Sequence, residues 1–231
     1  MTRILALDTS SDACSVALLA DGRIKEDFRL TPREHTKLIL PMIDALLAEA
    51  GLKLSDLDAI AFGRGPGSFT GLRIAAGIVQ GLAWGAQLPV LSVSTLEALA
   101  QEAVHKHNRP WVLTLLDARM DEVYGALYQI QDGEPHLCVA ERVCAPEQLE
   151  DIVEQVQGPL AVVGSGLVYE ARFPQALQSL IDVRDPDLQP RAAAIAQLAQ
   201  VYFQRGETLT PEQVQPIYLR DEVAWKKLPG R

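Results

Sequence analysis

Two turns and a glycine cluster carry the residue types that handle phosphate. Asp8-Thr9-Ser10-Ser11 ends the apolar run ILALDT (4–9), and Asp117-Ala118-Arg119-Met120 ends WVLTLLD (111–117). Each places a carboxylate at a strand end, where it can serve a metal-bound phosphate; Thr9 and Ser10 add hydroxyls, and Arg119 adds a cation. Gly63 to Gly77, GRGPGSFTGLRIAAG, sets three glycines within five residues ahead of Ser68 and an apolar run. As a phosphate loop this stretch fails its templates. A Walker loop needs a lysine directly after its last glycine, and there is none between Lys53 and Lys106. The dinucleotide pattern G-x-G-x-x-G ends on Ser68 when started at Gly63 and on Thr70 when started at Gly65. Pro66 has no N–H to offer. What remains is a strand-to-helix turn capped by Ser68 or Thr70, whose first helical turn attracts an anion.

The elements that must position these residues recur. In the first half, ILALDT (4–9) and CSVALLA (14–20) read as strands. Asp21-Gly22 is a hairpin signal into a third strand, RIKEDFRL (23–30). Thr31-Pro32-Arg33-Glu34 reads as a capping box opening a helix over 33–50, stopped by Gly51. The strand AIAFG (59–63), a helix over 70–85, the strand PVLSV (89–93) and the helix TLEALAQEAV (95–104) follow. In the second half, WVLTLLD (111–117), EVYGALYQI (122–130), the Asp132-Gly133 hairpin and HLCVAERV (136–143) repeat the opening. A helix from Pro146 to Gln157, the strand LAVVG (160–164), a short helix, the strand SLIDV (179–183) and a helix over 191–204 complete it. Gly63-x-Gly65 and Gly164-x-Gly166 take corresponding places.

Two βββαβαβα orders in one chain predict an α/β protein of two duplicated RNase H-like lobes. That is the actin, Hsp70 and sugar-kinase architecture, with lobes at 1–106 and 107–205 and an extended tail at 206–231. In such folds each lobe's first hairpin wraps a phosphate through a glycine-bearing turn. Neither turn here has that glycine. Two readings of Asp8, Thr9, Ser10, Asp117, Arg119, Gly164 and Gly166 follow: a weak, degenerate nucleotide cleft, or hairpin caps and inherited strand ends. ATP or ADP, held weakly or shared with a partner, is the one cofactor considered. No catalytic residue is assigned. An ATP-binding phosphotransferase or ATPase acting alone on Asp8 and Asp117 is the alternative function. Peptidase chemistry has only Ser68 behind it, without the G-x-S-x-G elbow.

Composition narrows the classes. The chain of 231 residues carries a formal charge of −9, which repels nucleic-acid backbones, so nucleic acid is expected only where another chain holds it. With 48% hydrophobic and 22% charged residues it reads as globular rather than disordered. MTRILALDTS reads as a strand, not a signal peptide, and no run reaches membrane-spanning length uninterrupted. Cys14, Cys138 and Cys144 lack C-x-x-C spacing and read as reduced core thiols of a cytoplasmic protein. The four histidines form no metal pattern; no metal site is expected.

The glycine-led helix is apolar on nearly every face, with Arg73 and Gln80 the strongly polar residues of its body. Gly77, Gly81 and Gly85 line one stripe, as close approach of another backbone would require. The opposite face carries Leu72, Ala75, Ala76, Val79 and Ala83. In the 33–50 helix, Leu38, Ile39, Met42, Ile43, Leu46 and Leu47 make one stripe, with Leu40 and Ala45 off it and Pro41 expected to kink it. Either the two helices bury each other against their sheet, or they build an external protein interface. The second reading makes His35, Leu38, Ile39, Met42, Ile43 and Leu46 partner-binding, together with Leu72, Arg73, Ala76, Val79, Gln80 and Ala83. It also expects a charge at Ala76 or Val79 to abolish pairing and leave the monomer folded.

ILALDTSSDACSVAL, GRGPGSFTGLRIAAG continuing into QGLAWG, DARMDEVY and PIYLR resemble the bacterial TsaB (YeaZ) family over the whole chain. Ala75 stands where that family has glycine. The resemblance implies a non-catalytic dimerisation subunit in the synthesis of N6-threonylcarbamoyladenosine (t6A) at tRNA position 37. It implies pairing with the metal-bearing catalytic paralogue TsaD, an ATPase, TsaE, joining the pair, and self-association through the first-lobe helices. The histidine pair that holds the TsaD metal has no counterpart here; His35 stands alone, with Glu34 and Lys37 beside it. Pro211, Pro216 and Pro229 preclude one continuous tail helix, QVQPIYLR reads as an extended segment docked on a lobe or a partner, and residues 225–231 are expected to be ordered only by a partner.

Overall fold

Alternation in the first strand sets the first lobe's layers. In β1 (Ile4–Asp8), Leu5 and Leu7 face one way and Ile4 and Ala6 the other. β4 (Ala59–Gly63) repeats this, with Ile60 and Phe62 on the bulky side and Ala59 and Ala61 on the small side. With β2 (Ala13–Ala20), β3 (Arg23–Leu30) and β5 (Val90–Val93) they form a sheet in the order β3-β2-β1-β4-β5, antiparallel across β3-β2-β1 and parallel across β1-β4-β5. The bulky face is covered by α1 (His35–Glu49) and α2 (Phe69–Ala86). The fold is given by a computed structural model that describes residues 2–220; the 225–231 segment lies outside the described residues.

The second sheet has the same order, β8-β7-β6-β9-β10, built from β6 (Trp111–Arg119), β7 (Glu122–Gln131), β8 (Glu134–Cys144), β9 (Leu160–Val163) and β10 (Ile181–Asp185). Asp21-Gly22 and Asp132-Gly133 both turn with positive φ at each residue, as a two-residue hairpin of right-handed twist requires. The duplicated RNase H-like fold is therefore present in full. One face of the second sheet takes α4 (Glu150–Gln155), α5 (Gln175–Leu180) and the 3-10 segment Ser165–Arg172.

The last helix of each half crosses to the other. α3 (Thr95–His107) places Leu96, Leu99, Ala100 and Ala103 on the second sheet. α6 (Ala192–Gln204) lays Ala192, Ile195, Ala196 and Ala199 on the small face of the first sheet, alanine against Ala6, Ala17 and Ala61. The two helices pack on each other between the sheets. Position 106/107 falls between the strands of the two sheets, while α3 and α6 each pack across it. Glu26 on β3 fixes the crossing helix: one carboxylate oxygen accepts from Ser15 Oγ at 2.8 Å and Ala193 N at 3.0 Å, the other from Arg191 at 2.6 Å. A carboxylate at a helix N-terminus also meets the positive end of the helix dipole.

Local departures have local causes. The Thr31–Glu34 segment is a turn, with Glu34 N donating to Thr31 O at 3.2 Å and Arg33 at φ 69°, so α1 starts at His35 without a side-chain cap. A left-handed residue cannot sit in a helical first turn. The helix read over 146–157 is a 3-10 turn followed by the short α4. Cys14 and Cys144 are buried, whereas Cys138 is exposed on β8 and is no core thiol. No described helix is long and apolar enough to cross a membrane.

Glu26→Ala should lower stability by about 2–4 kcal/mol, read as a fall in the urea midpoint, because it strands Arg191 and a helix-terminal N–H. A loss under about 1 kcal/mol would mean that α6 docks by its alanine face alone.

Candidate functional site

The first turn is closed by its own chain. Asp8, Thr9 and Ser10 are at most 3% exposed. Asp8 Oδ1 accepts from Ser10 N at 2.9 Å and Ser10 Oγ at 2.7 Å. Thr9 Oγ1 donates to Gly71 O at 2.7 Å, and Ser68 N donates to Ser10 O at 2.7 Å. The turn between β1 and β2 therefore lies directly against the segment that opens α2. A Cβ at Gly71 would overlap Thr9 O, one at Gly63 would overlap Asp8 Oδ2, and one at Gly67 would stand 2.5 Å from Ser10 O. Gly67 and Gly71 admit the neighbouring backbone, and Gly63 admits the Asp8 carboxylate. Gly65, at φ 106°, does the same for the tail, since a side chain would meet Ile217 O at 2.8 Å. Ser68 caps α2, accepting from Gly71 N at 3.4 Å.

Burial leaves Asp8 Oδ2 without a hydrogen-bond partner and pushes the Asp8 pKa up to about 6, against the two bonds from Ser10. The same burial, with the Asp8 charge nearby, pushes the Cys14 thiol up to about 11.

The second turn is consumed differently. Asp117 accepts from Arg119 N at 2.8 Å, from Arg119 Nη1 at 3.1 Å and from Tyr169 Oη at 3.1 Å. Arg119 projects outward, its side chain 84% exposed. Arg119, Met120 and Asp121 all have positive φ, a costly run for non-glycine residues. Gly164 and Gly166 pack against the Leu115 backbone and Cβ. The residues present do not fit a nucleotide's phosphates: the first cradle is filled, and the second glycine pair faces β6. Asp8, Thr9 and Ser10 form one buried cluster, Asp117 and Arg119 a separate surface pair. Among the described residues no group of three metal-binding side chains occurs.

The helix surfaces reverse the expected assignment. Ile39, Met42, Ile43 and Leu46 of α1, and Ala76, Val79 and Ala83 of α2, are inside the first lobe's own core, and Leu72 is buried. His35 is buried too, with Nε2 3.2 Å from Ala13 O. A charge at Ala76 or Val79 would therefore disrupt the fold itself. The broad apolar faces arise because these helices cover the bulky side of a five-stranded sheet. Of the twelve residues expected at the partner face, Leu38 is half-buried and Arg73 and Gln80 are exposed. The open ridge of α2 is the glycine side: a Cβ at Gly77, Gly81 or Gly85 would meet nothing within 4 Å. Trp84 stands on that ridge at 61% exposure and Phe69 at its start. The tail flanks it, with Pro211 O accepting from Gln80 and Tyr218 Oη from Arg73. Phe69, Trp84 and Tyr218 escape a sequence reading because lone aromatics in apolar segments look like core.

A protein of Escherichia coli K12, the tRNA threonylcarbamoyladenosine biosynthesis protein TsaB, is 46% identical over 231 residues and covers 99% of both chains. Its namesake in Haemophilus influenzae is 45% identical over 242 residues, covering 99% of this chain and 98% of its own. The chain belongs to the TsaB (YeaZ) family. The crystal structure of YeaZ from Pseudomonas aeruginosa superposes with a TM-score of 0.88 at 46% identity, over 95% of this chain and all of that one. Residues 29–228 also match the family model for TsaD, tRNA N6-adenosine threonylcarbamoyltransferase, so this chain shares its descent with that enzyme family.

Two measurements follow. Gly71→Ala should cost about 3 kcal/mol or more in urea unfolding, whereas Gly77→Ala, in an open helical position, should gain about 0.5–1 kcal/mol. Equal effects would contradict the division between packing glycines and ridge glycines. For Asp8, a pKa of about 6 in the fold against 3.8 unfolded means that ionisation opposes folding. Its contribution is fully favourable below pH 4 and is lost as pH rises through 6, about 3 kcal/mol in all. The stability difference between the unsubstituted chain and Asp8→Asn should therefore change between pH 4 and 6 and be flat above; a flat difference throughout would show Asp8 ionised normally.

Proposed function

We propose that this chain is a non-catalytic subunit of the machinery that forms N6-threonylcarbamoyladenosine at tRNA position 37, acting by pairing with a TsaD-type catalytic paralogue. Full-length identity to proteins named for that biosynthesis supports the pathway. The observation that carries the subunit role is a contrast between two surfaces. The turn that would hold phosphate is sealed by Gly63, Gly67 and Gly71, while the Gly77-Gly81-Gly85 ridge of α2 stands open. A ridge of glycines lets a partner helix approach to backbone contact, which longer side chains would prevent. With Trp84 and Phe69 exposed on the same helix, it has the aromatic anchors on which protein interfaces depend.

On this reading the same ridge pairs two copies of the chain when the paralogue is absent. A TsaE-type ATPase joins through the paired complex, and tRNA is held by other subunits in the cytoplasm, as the charge of −9 favours. A phosphotransferase acting alone is not favoured, since neither turn offers phosphate a place.

Light scattering decides it. The chain alone should have the mass of a dimer, and mixing with the TsaD-type paralogue should give a one-to-one heterodimer. Gly81→Leu should weaken both pairings at least about tenfold, with the circular dichroism spectrum unchanged. Unaltered pairing in Gly81→Leu would remove the ridge from the interface, and a monomer indifferent to the paralogue would refute the subunit role.

A further inference from the structure

The tail supplies part of the α2 surface, and it does so around one arginine. Arg73 is the only charged residue in α2. Its guanidinium lies 3.7 Å over the Phe69 ring and 5.9 Å from the ring of Tyr218, and its Nε donates to Tyr218 Oη at 3.1 Å. The two rings sit 5.4 Å apart, so the side chain is held between an α2 residue and a tail residue. The tail is fixed at that point: Ile217 N donates to Arg64 O at 2.8 Å, and Gly65 leaves room for the Ile217 carbonyl. Beyond Tyr218, Arg220 donates to Ala118 O at 3.3 Å and pairs with Glu122 in the second lobe, so the strap is anchored on both sides.

Among the described residues Arg73 has no counter-charge. Its contacts among the described residues are two rings and a phenol oxygen, and none of the ion pairs includes it. An arginine fixed in place, exposed, and flanking the open ridge has already lost its rotamer freedom, so an incoming carboxylate gains a charge-assisted, two-pronged contact without that cost. We propose that Arg73 is the charged anchor of the partner surface, that it meets a carboxylate on the TsaD-type partner beside the helix seated on the glycine ridge, and that Tyr218 is its positioning residue. The assignment rests on the pairing proposed above and adds the chemistry the partner must present.

The full chain is titrated against the paralogue by calorimetry at about 0.05 and 0.5 M NaCl, where screening lengths differ severalfold. The unsubstituted chain should bind more weakly at high salt. Arg73→Gln should weaken binding about tenfold at low salt and flatten the salt dependence. Tyr218→Phe, which keeps the ring and removes the hydroxyl, should fall between the two, with its melting temperature unchanged. Affinity and salt dependence unaltered in Arg73→Gln would overturn the assignment. So would a loss of equal size at both salts, which would mark Arg73 as packing rather than as a charge partner. Gly81→Leu run alongside separates the two readings: if it abolishes binding while Arg73→Gln is silent, the ridge stands and the anchor falls. No binding by the unsubstituted chain would overturn both.

Discussion

The contact on which the first lobe depends is backbone against backbone: the turn at Thr9 and Ser10 pressed onto the segment from Gly63 to Gly71. It brings a strand-end carboxylate into the interior and gives Ser10 O the Ser68 N–H as its partner. It also fixes where α2 begins. Because α2 leaves this contact at a set angle, Ala75, Ala76, Val79 and Ala83 fall on the bulky face of the sheet and the glycine ridge falls outside. One residue type thus does two physically different things within a single segment. At Gly63, Gly67 and Gly71 a side chain would collide with protein; at Gly77, Gly81 and Gly85 it would project into open space, where a lone helix would be steadier with alanine.

The duplicated order was legible because its signals are local. Two Asp-Gly pairs fix two hairpins through φ alone, and the apolar runs ending in Asp8 and Asp117 are short enough to be strands and nothing else. The glycine cluster was legible as a non-phosphate loop, by failing a template, but its purpose was not, since the backbone it admits lies more than fifty residues away in sequence. The apolar stripes of α1 and α2, expected outside, lie inside the first lobe. Apolar periodicity identifies a stripe that must be buried, and it carries no label saying whether the covering surface is the chain's own sheet or another molecule. Val79 and Ala76 belong to the first kind. The start of α1 was misjudged for a different reason: Thr31-Pro32-Arg33-Glu34 has the composition of a capping box, but Arg33 adopts a left-handed turn that the pattern does not encode.

The helix exchange was beyond reach of any local rule, and it changes what the two lobes are. α3 belongs to the first half by sequence and to the second sheet by packing, and α6 does the converse. Neither sheet is covered on both faces without a helix from the other half, so the lobes depend on each other for their hydrophobic cores. Polar pairs lie along the same seam. Tyr202 on α6 donates to the Glu97 carboxylate on α3, whose pKa is raised mainly by burial, and Arg64 beside the first sheet forms a two-pronged pair with Glu141 on the second.

That seam bears on what the molecule is suited to do. In a two-lobed enzyme that closes on nucleotide, the lobes must rotate, and the contacts between them must be cheap to break. Here the seam carries a buried ionisable group, a half-buried arginine pair and a strap from the tail that reaches from Arg73 to Glu122. Pulling it apart would expose the apolar faces that α3 and α6 cover and break the Tyr202–Glu97 and Arg64–Glu141 contacts. A subunit whose work is to present one helix ridge and one held arginine gains from the same stiffness, since every side chain already fixed is entropy not lost on pairing. The contacts that stiffen the seam also hold the α2 ridge and Arg73 in place, which is the property the proposed pairing needs.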